Sequence, residues 1–506
     1  MQHRLGRQGR WAALAVLCLS LVVIGIDNTI LNVALPTLVR ELGATGSELQ
    51  WTVDAYILVF AGLLLTMGAL GDRFGRRRAL QVGLTFFAAG SLGAALADST
   101  TILIAFRAVM GVGAAMIMPS TLSIITNVFI EARERARAIG AWAGIAALGI
   151  VLGPVLGGWL LEHFWWGSVF MINLPIVALA LGLGVFFVPE SKDPDATPLD
   201  PVGAALSVAA LGALVFGMIE APDRGWGNAV ILTCFAAALV LAAAFVAWER
   251  STRHPMLRLE FFRDLRFTVG AAAIMLVFFA LLGGIFVLTQ YLQGVLAYSP
   301  LEAGLRVTPT AAVALGAGFG SRLVERVGSR IVVAGGMLIV AGALVILSFA
   351  DAATGYGVIA TALALLGFGM GSTMAPATEC VMGSLPPARA GSGAAMNNTT
   401  QLVGAALGVA VVGSVLSSLY SSSLAPATAS LPPPVAEAAN GSIGAALGVA
   451  SQLGPAGAPL ADAARAAFVE GMGGGMLTAA AVAFAGAVLV MLLLPARARR
   501  TPESAG

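Results

Sequence analysis

Three charged residues in this sequence lie within apolar regions, where a charge needs either a partner or a function. Asp27 interrupts an apolar run near the N-terminus, and Asp54 and Arg107 lie in two later apolar regions. An ionised side chain at the centre of a membrane costs at least about 2.5 kcal/mol, so each is a candidate functional residue. An apolar cavity disfavours the ionised form of an acid. Asp27 could therefore bind a proton in one conformation and a cationic substrate in another.

These charges also have purely structural interpretations. Asp27 and Arg107 could form a buried pair that only holds two helices together. Asp54 lies in the first turn of a predicted helix, where an acid is favoured in any case. Other polar residues within apolar segments could bind a substrate or bridge helices. Together with the two acids, the candidates for substrate binding are Asn32, Gln290, Tyr291, Asn397, Asn398 and Gln401.

The composition identifies the kind of protein that must position these residues. Of 506 residues, 58% are hydrophobic and 11% are charged, whereas soluble proteins have about 25% charged residues. A soluble globular chain and a disordered chain are both excluded, and a membrane protein with many spans remains. The net charge of +2 gives no reason to expect a nucleic-acid partner. Neither the cysteines nor the histidines have metal-site spacing, and no phosphate-binding loop is present. We therefore expect no metal, no cofactor and no enzymatic activity.

Fourteen apolar segments are long enough to cross a membrane as helices, which need about 20 residues each. The apolar residues do not alternate with period two, so the predicted fold is all-α rather than a β-barrel. With the N-terminus inside, most of the 28 basic residues fall in cytoplasmic segments and both termini are cytoplasmic. The predicted spans are 11–34, 51–70, 80–97, 101–125, 138–160, 168–188, 202–219, 229–248, 268–293, 303–322, 331–350, 354–378, 395–417 and 474–494.

A short motif follows the second predicted helix and recurs after the tenth, with an acid, a basic residue and a glycine at the same spacing. Repeated halves are typical of secondary transporters, so we expect two six-helix bundles with two helices inserted between them. The first copy contains Gly68, Asp72, Arg73, Gly75 and Arg76, and the second contains Glu325 and Arg326. The predicted divisions are 1–188 for the first bundle, 189–266 for the inserted helices, 267–417 with 474–494 for the second bundle, 418–473 for an outer loop and 495–506 for a cytoplasmic tail.

Two connecting segments have recognisable patterns of their own. In the outer loop, weakly amphipathic runs near 435–452 and 459–470 predict two short helices that do not span the membrane. Between the inserted helices and the second bundle, segment 249–266 mixes arginine with large apolar residues. That composition is typical of an amphipathic helix lying in the membrane interface.

The fifth predicted helix contains glycines four residues apart. Such spacing lets two helix backbones approach closely, and a proline inside the helix removes a backbone hydrogen bond and bends it. The residues of this pattern are Gly149, Gly153, Pro154, Gly157 and Gly158.

Taken together, these motifs resemble those of the major facilitator superfamily, and in particular its fourteen-helix drug:proton antiporters. The segments that carry the resemblance are Leu21–Pro36, Gly68–Leu80, Ile102–Gly113, Gly149–Gly158, Pro376–Glu379 and Leu385–Ala410. The resemblance implies two six-helix bundles around a central cavity, with two additional helices. It also implies the export of hydrophobic, cationic or zwitterionic compounds, driven by proton entry.

The resemblance further implies roles for individual residues. Asp27 and Arg107 would couple transport to protons, and Asp54 would recognise a cation. The glycine–proline pattern of helix 5 would form a bend tied to antiport. The motif after helix 2 would latch the two halves together on the cytoplasmic side. The expected partners are small amphiphilic substrates, protons and the lipids of a bacterial cell membrane, and the protein is expected to be a monomer. Two alternatives stay open: export of a lipid or a self-made natural product, and uncoupled facilitated transport.

Overall fold

The computed structural model describes residues 7–193, 199–253, 255–257, 259–384 and 390–495, and every regular element in these ranges is helical. The α-helices are α1 (Arg7–Leu42), α2 (Gly46–Phe74), α3 (Arg76–Ala95), α4 (Thr100–Val128), α5 (Ala132–His163), α6 (Ser168–Met171), α7 (Asn173–Phe187), α8 (Pro201–Arg224), α9 (Ala229–Ser251), α10 (Leu265–Gln290), α11 (Pro300–Arg306), α12 (Val313–Val327), α13 (Ser329–Ser348), α14 (Tyr356–Gly383), α15 (Ala390–Thr428), α16 (Pro433–Gly441), α17 (Ile443–Gln452) and α18 (Ala458–Leu493).

Among the described residues, eleven helical stretches are long and apolar enough to cross a membrane. The other three predicted spans, 80–97, 138–160 and 303–322, also fold as helices. They form α3, α5 and the α11–α12 pair, which are not among the eleven. The all-helical class is therefore confirmed.

Local signals in the sequence explain several helix boundaries. α2 begins with a capping box, in which Thr45 and Glu48 satisfy each other's backbone N–H groups. It ends at Gly75, whose φ of +127° strongly favours glycine. Gly328 stands at the same place in the repeated motif, with a φ of +84°, and separates α12 from α13. The two motif copies thus mark the same local structure, a sharp turn between consecutive helices.

The helices pack as two bundles. α1 to α7 pack on one another, and α10 to α15 with α18 form the second group. The bundles meet along two lines, α2 against α15 and α5 against α11. The inserted helices α8 and α9 form a hairpin on the outside of the first line, where α8 contacts both α2 and α15.

Two predictions about connecting segments were wrong. The run 459–470 is not a separate short helix but the beginning of α18, because this alanine-rich stretch strongly favours helix and no proline follows before Pro495. Segment 249–266 does not form one amphipathic helix. α9 ends at Ser251, shortly before Pro255, and in the described part of the segment the one helical turn that follows is a 3-10 turn, Leu259–Arg263.

Some predictions concern residues outside the described ranges. These are the tail from 496 onward, the segment 385–389 that carried part of the family resemblance, and 194–198 between the first bundle and α8. The short helices predicted near 435–452 are present as α16 and α17.

Candidate functional site

Asp27 of α1 and Arg107 of α4 form a buried ion pair. The Arg107 Nη1 donates to Asp27 Oδ2 at 2.6 Å, and the side chains are 2% and 0% exposed, respectively. The guanidinium also donates from Nε to the carbonyl oxygen of Thr52 at 3.0 Å, and it lies 4.4 Å from the centre of the Tyr56 ring. Arg107 thereby connects α4 to both α1 and α2.

The second carboxylate oxygen of Asp27 is differently placed. Oδ1 is buried and has no hydrogen-bond partner among the described residues. The Asn173 side chain lies beside this carboxylate and donates to Ser91 Oγ at 3.0 Å, and that hydroxyl donates to the Phe170 carbonyl at 2.8 Å. Asp27 therefore lies at one end of a buried polar chain. Its free oxygen is a position where a proton could bind.

Asp54 is a buried acid without a partner. It is fully buried on α2, and neither carboxylate oxygen has a hydrogen-bond donor among the described residues. Gln50, one helical turn earlier, packs against Gly413 of α15. Residues four apart share a helix face, so Asp54 lies on the side of α2 that is turned toward the second bundle. An unpaired buried acid at this position could accept a cation or a proton.

The remaining predicted binding residues are partly engaged in structural hydrogen bonds. Asn32 donates to the Asn28 carbonyl at 3.4 Å, and Gln290 donates to the Phe286 carbonyl at 3.1 Å. The Tyr291 hydroxyl donates to the Asp351 carbonyl at 2.6 Å. These groups brace the helices that carry them.

The polar residues of α15 are less engaged in structural hydrogen bonds. Asn397 is buried, with its side-chain oxygen unpartnered among the described residues, and Asn398 and Gln401 are half-buried. Gln293, a further polar candidate beside Gln290 and Tyr291, bridges the two bundles by donating to the Val33 carbonyl at 2.9 Å. Nothing in the spacing of the sequence identifies that long-range partner.

The glycines of helix 5 bring its backbone into contact with α1. A Cβ on Gly149 would lie 3.1 Å from the Gly25 Cα atom, and one on Gly153 would lie 2.8 Å from the Ile26 carbonyl oxygen. Gly157 packs in the same way on Ile30. Only glycine permits this approach, so α5 is fixed against the two turns of α1 that surround Asp27.

The opposite side of α5 contacts the second bundle. A Cβ on Gly158 would lie 2.5 Å from the Pro300 carbonyl oxygen, and Gly304 of α11 packs directly on the Pro154 carbonyl. Leu301 N also donates to Glu162 Oε1 at 3.2 Å. The motif therefore joins the two bundles, and Gly304 is a matching residue that the sequence reasoning did not identify.

The motif after α2 makes its contacts within the first half of the chain. Arg76 Nε lies 2.7 Å from Asp72 Oδ1, and the Arg76 N–H donates to the Ser191 carbonyl at 2.9 Å. Glu190, which was not predicted, accepts from the Arg77 N–H at 3.1 Å. These contacts tie the loop to the segment after α7.

The other members of the two motif copies are placed as follows. Gly68 packs near Pro119 of α4, and Arg73 lies 5.6 Å from the centre of the Phe74 ring. Glu325 and Arg326 are exposed at the end of α12 and form no ion pair with other described residues. The latch between halves thus stays a prediction, because among the described residues no hydrogen bond or ion pair of either copy crosses from one bundle to the other.

The structure has two bundles of long apolar helices that are joined by close glycine contacts, and charged side chains are buried in its interior. These features define a polytopic membrane transporter. The chain belongs to the Major Facilitator Superfamily, whose family model matches residues 17–409. It is a transporter rather than an enzyme, and a multi-pass protein of the bacterial plasma membrane.

Similar proteins agree with this assignment. The chain is 40% identical over 486 residues to the multidrug efflux pump LfrA of Mycolicibacterium smegmatis, covering 95% of each chain. It is 36% identical over 465 residues to the methyl viologen resistance protein SmvA of Salmonella typhimurium, covering 91% of this chain and 93% of SmvA. These relatives place it in the drug-efflux family of the superfamily.

A solved structure supports the fold independently. A bacterial homologue of the human lysosomal transporter Spinster superposes with a TM-score of 0.68 at 19% identity, covering 96% of this chain and 98% of that chain.

Proposed function

We propose that this protein exports hydrophobic, cationic drugs and dyes in exchange for protons. The observation that carries the proposal is the buried Asp27–Arg107 pair, in which one carboxylate oxygen is bound by the guanidinium and the other is free. A proton and a cationic substrate would compete for the same negative charge. The names of the relatives, a multidrug efflux pump and a methyl viologen resistance protein, support export of organic cations.

The proposal includes fourteen membrane helices with both termini in the cytoplasm. The eleven apolar stretches would be joined by α3, α5 and the α11–α12 pair, which complete two bundles of six and an inserted pair. The distribution of basic residues supports this orientation, because cytoplasmic loops carry an excess of lysine and arginine. With the termini inside, the arginine-containing turns after α2 and α12 face the cytoplasm. The contacts of α5 with α11 then lie near the outer surface.

Coupling between the proton and the movement would start at Asp27. Protonation of the carboxylate removes its charge and weakens its bond to Arg107, because charge-assisted hydrogen bonds are the stronger ones. The turns of α1 on either side of Asp27 pack on the glycines of α5, and α5 in turn contacts the second bundle. A change of charge at Asp27 would therefore act close to the contact that has to loosen and reform in each transport cycle.

Asp54 would supply the second negative charge. It lies on the face of α2 that is turned toward the second bundle, and a buried carboxylate without a partner is unfavourable unless a cation or a proton neutralises it. We propose that the substrate cation binds at Asp54, and that the polar groups of α15, Asn397, Asn398 and Gln401, line its path nearer the cytoplasmic end of α2.

The test uses purified protein in liposomes with an acidic interior and ethidium outside. Proton exit should drive ethidium accumulation by the wild type, and Asp27→Asn should abolish the gradient-dependent part. Asp462→Asn is the matched control, because Asp462 is an exposed acid at the start of α18, and it should transport like the wild type. Protein-free liposomes give the background.

The outcomes separate the proposal from its alternatives. If the wild type moves ethidium equally well without a pH gradient, the protein is a facilitator and the coupling proposal is wrong. If Asp27→Asn keeps gradient-driven accumulation, coupling does not pass through Asp27. If no ethidium moves, the substrate class is wrong, and a lipid or natural product becomes the substrate to test.

A further inference from the structure

A cavity lies outside the two bundles, between their α2–α15 contact and the inserted hairpin of α8 and α9. Its volume is about 550 Å³, within the range of roughly 300–1,000 Å³ that is typical of sites for small molecules. Ala61 and Leu65 of α2 and Val403 of α15 form the inner wall, and Ala210 of α8 and Ala242 of α9 lie opposite. None of the coupling residues described above lines it.

The cavity exists because the hairpin is close to α2 at one level and separated from it at another. A Cβ on Gly62 would collide with the Val208 side chain of α8, so these two helices touch there. Beside this contact, small side chains such as Ala210 of α8 and Ala242 of α9 leave the space open. α9 packs mainly on α8 and not on the bundles.

The lining offers no polar group to a ligand. The two hydroxyl side chains in it are satisfied by their own helices, since Ser207 donates to the Ala204 carbonyl at 2.9 Å and Thr399 donates to the Ala395 carbonyl at 3.0 Å. All other lining residues are apolar or glycine. The lining therefore suits an uncharged, apolar group, and it contains no acidic side chain that would balance the charge of a cation.

The floor of the cavity is fixed in place. Met256 Sδ accepts a hydrogen bond from Thr66 of α2 at 3.4 Å, and the Leu257 N–H donates to Glu249 of α9 at 2.9 Å. Both Met256 and Leu257 line the cavity. The segment between α9 and α10 thus closes one end of the space by specific bonds to both walls.

The surroundings of the cavity indicate which apolar group enters. Leu239, on the α9 wall, is 74% exposed on the lipid-facing side of the protein, so the cavity opens sideways into the bilayer. At the floor, Arg250 and Arg253 are exposed at the end of α9. Arginines at the end of a membrane helix lie at the level of the lipid headgroups and attract anionic phosphates.

We propose that this cavity binds one acyl chain of an anionic phospholipid, whose headgroup phosphate lies near Arg250 and Arg253. The acyl chain fills the space between the hairpin and the α2–α15 contact. This site is independent of the transport function proposed above, because it contains neither Asp27 nor Asp54, and no other acidic side chain lines it.

The test uses the purified protein in nanodiscs that contain phosphatidylglycerol with a photoreactive diazirine on its acyl chain. After illumination and digestion, mass spectrometry should find labelled peptides from α9 and from the inner wall on α2 or α15. Ala242→Phe and Ala210→Phe each fill the cavity and should remove this labelling. Ala243→Phe is the matched control, since Ala243 is the next residue on α9, is exposed, and does not line the cavity.

Each outcome has a defined meaning. Labelling that is lost in both filling variants and kept in Ala243→Phe supports the site. Equal labelling in all four proteins, or none in the wild type, overturns it. A photoreactive lipophilic cation that labels the same peptides and displaces the lipid would show a substrate vestibule instead, and would overturn the lipid assignment. Phosphatidylcholine should label less than phosphatidylglycerol, and the difference should disappear when Arg250 and Arg253 are both replaced by glutamine.

Discussion

Removing one member of the Asp27–Arg107 pair should destabilise the protein more than removing both. Asp27→Asn leaves a guanidinium that cannot lose its proton, buried among apolar side chains. Arg107→Gln leaves a buried carboxylate without its cation. The double variant carries two neutral amides of similar size in the same space. We therefore expect the two substitutions to be strongly coupled in a double-mutant cycle.

The magnitude follows from what remains around each charge. Breaking a buried ion pair from one side costs about 3–5 kcal/mol, whereas replacing both members is often neutral. In Asp27→Asn, Arg107 keeps the Thr52 carbonyl at 3.0 Å and the Tyr56 ring at 4.4 Å, which places the cost near the lower limit, about 3 kcal/mol. The coupling energy should then be at least about 2 kcal/mol, well above the error of additivity for independent sites.

The assay is the midpoint of thermal unfolding in lipid nanodiscs, followed by tryptophan fluorescence. Because the shift per kcal/mol falls with chain length, to about 1 °C for 506 residues, each single variant should lower the midpoint by roughly 3 °C, and the double variant should recover most of this loss. Asp462 and Arg465 provide the control, because their 3.4 Å pair is exposed and such pairs are worth about 0–1 kcal/mol. Single effects at Asp27 and Arg107 that simply add in the double variant would refute the reasoning.

Three further predictions concern other parts of the site. Asp54→Asn removes no partner, so the unfolding midpoint should stay the same or rise, while the KM for ethidium in the liposome assay should increase about tenfold, the effect of losing about 1.4 kcal/mol of binding. Gly153→Ala should destabilise the protein by about 1–3 kcal/mol and slow transport, whereas Gly144→Ala on the same helix has open space around it and should do neither. Gly75→Ala should cost about 1–3 kcal/mol, because its φ is +127° and the new Cβ would lie 2.8 Å from Glu190. A midpoint lowered by less than about 1 °C, the least that such a cost predicts for a chain of 506 residues, would contradict this.

The positions of the helices could be predicted from sequence because the bilayer fixes the length of an apolar run. The ends of the helices could not be predicted in this way. α1 has 36 residues, about 54 Å at 1.5 Å per residue, although the hydrocarbon core is only about 30 Å thick. The polar turns that extend it into the interface carry no hydropathy signal. For the same reason α18 begins at Ala458, well before the predicted span at 474–494.

The sequence predicted the residues of the candidate site that stand out within their own segment, such as charges in apolar runs. It did not predict contacts between residues of separate helices. A charge in an apolar run is visible in the sequence, and the structure brings Asp27 and Arg107 together across 80 positions. The residue against which a glycine packs cannot be identified from the sequence. Gly304 packs on Pro154 and Glu190 closes on Gly75, but neither relation follows from spacing, since each depends on how separate helices are oriented.

In the proposed mechanism, the arrangement around α1 links a change of charge at Asp27 to a movement of α5. One side of the turn at residues 25–30 holds Asp27 against Arg107, and the other side packs backbone to backbone on α5. The backbones approach closely at Gly149, and the Thr29 and Ile30 side chains fill the contact against Gly153 and Gly157, so side-chain rearrangement has little room to absorb a displacement. Any shift of α1 that follows from a change of charge at Asp27 must therefore move α5 as well. Since α5 also contacts α11 through Gly158 and Gly304, the second bundle would respond without a long chain of intermediates.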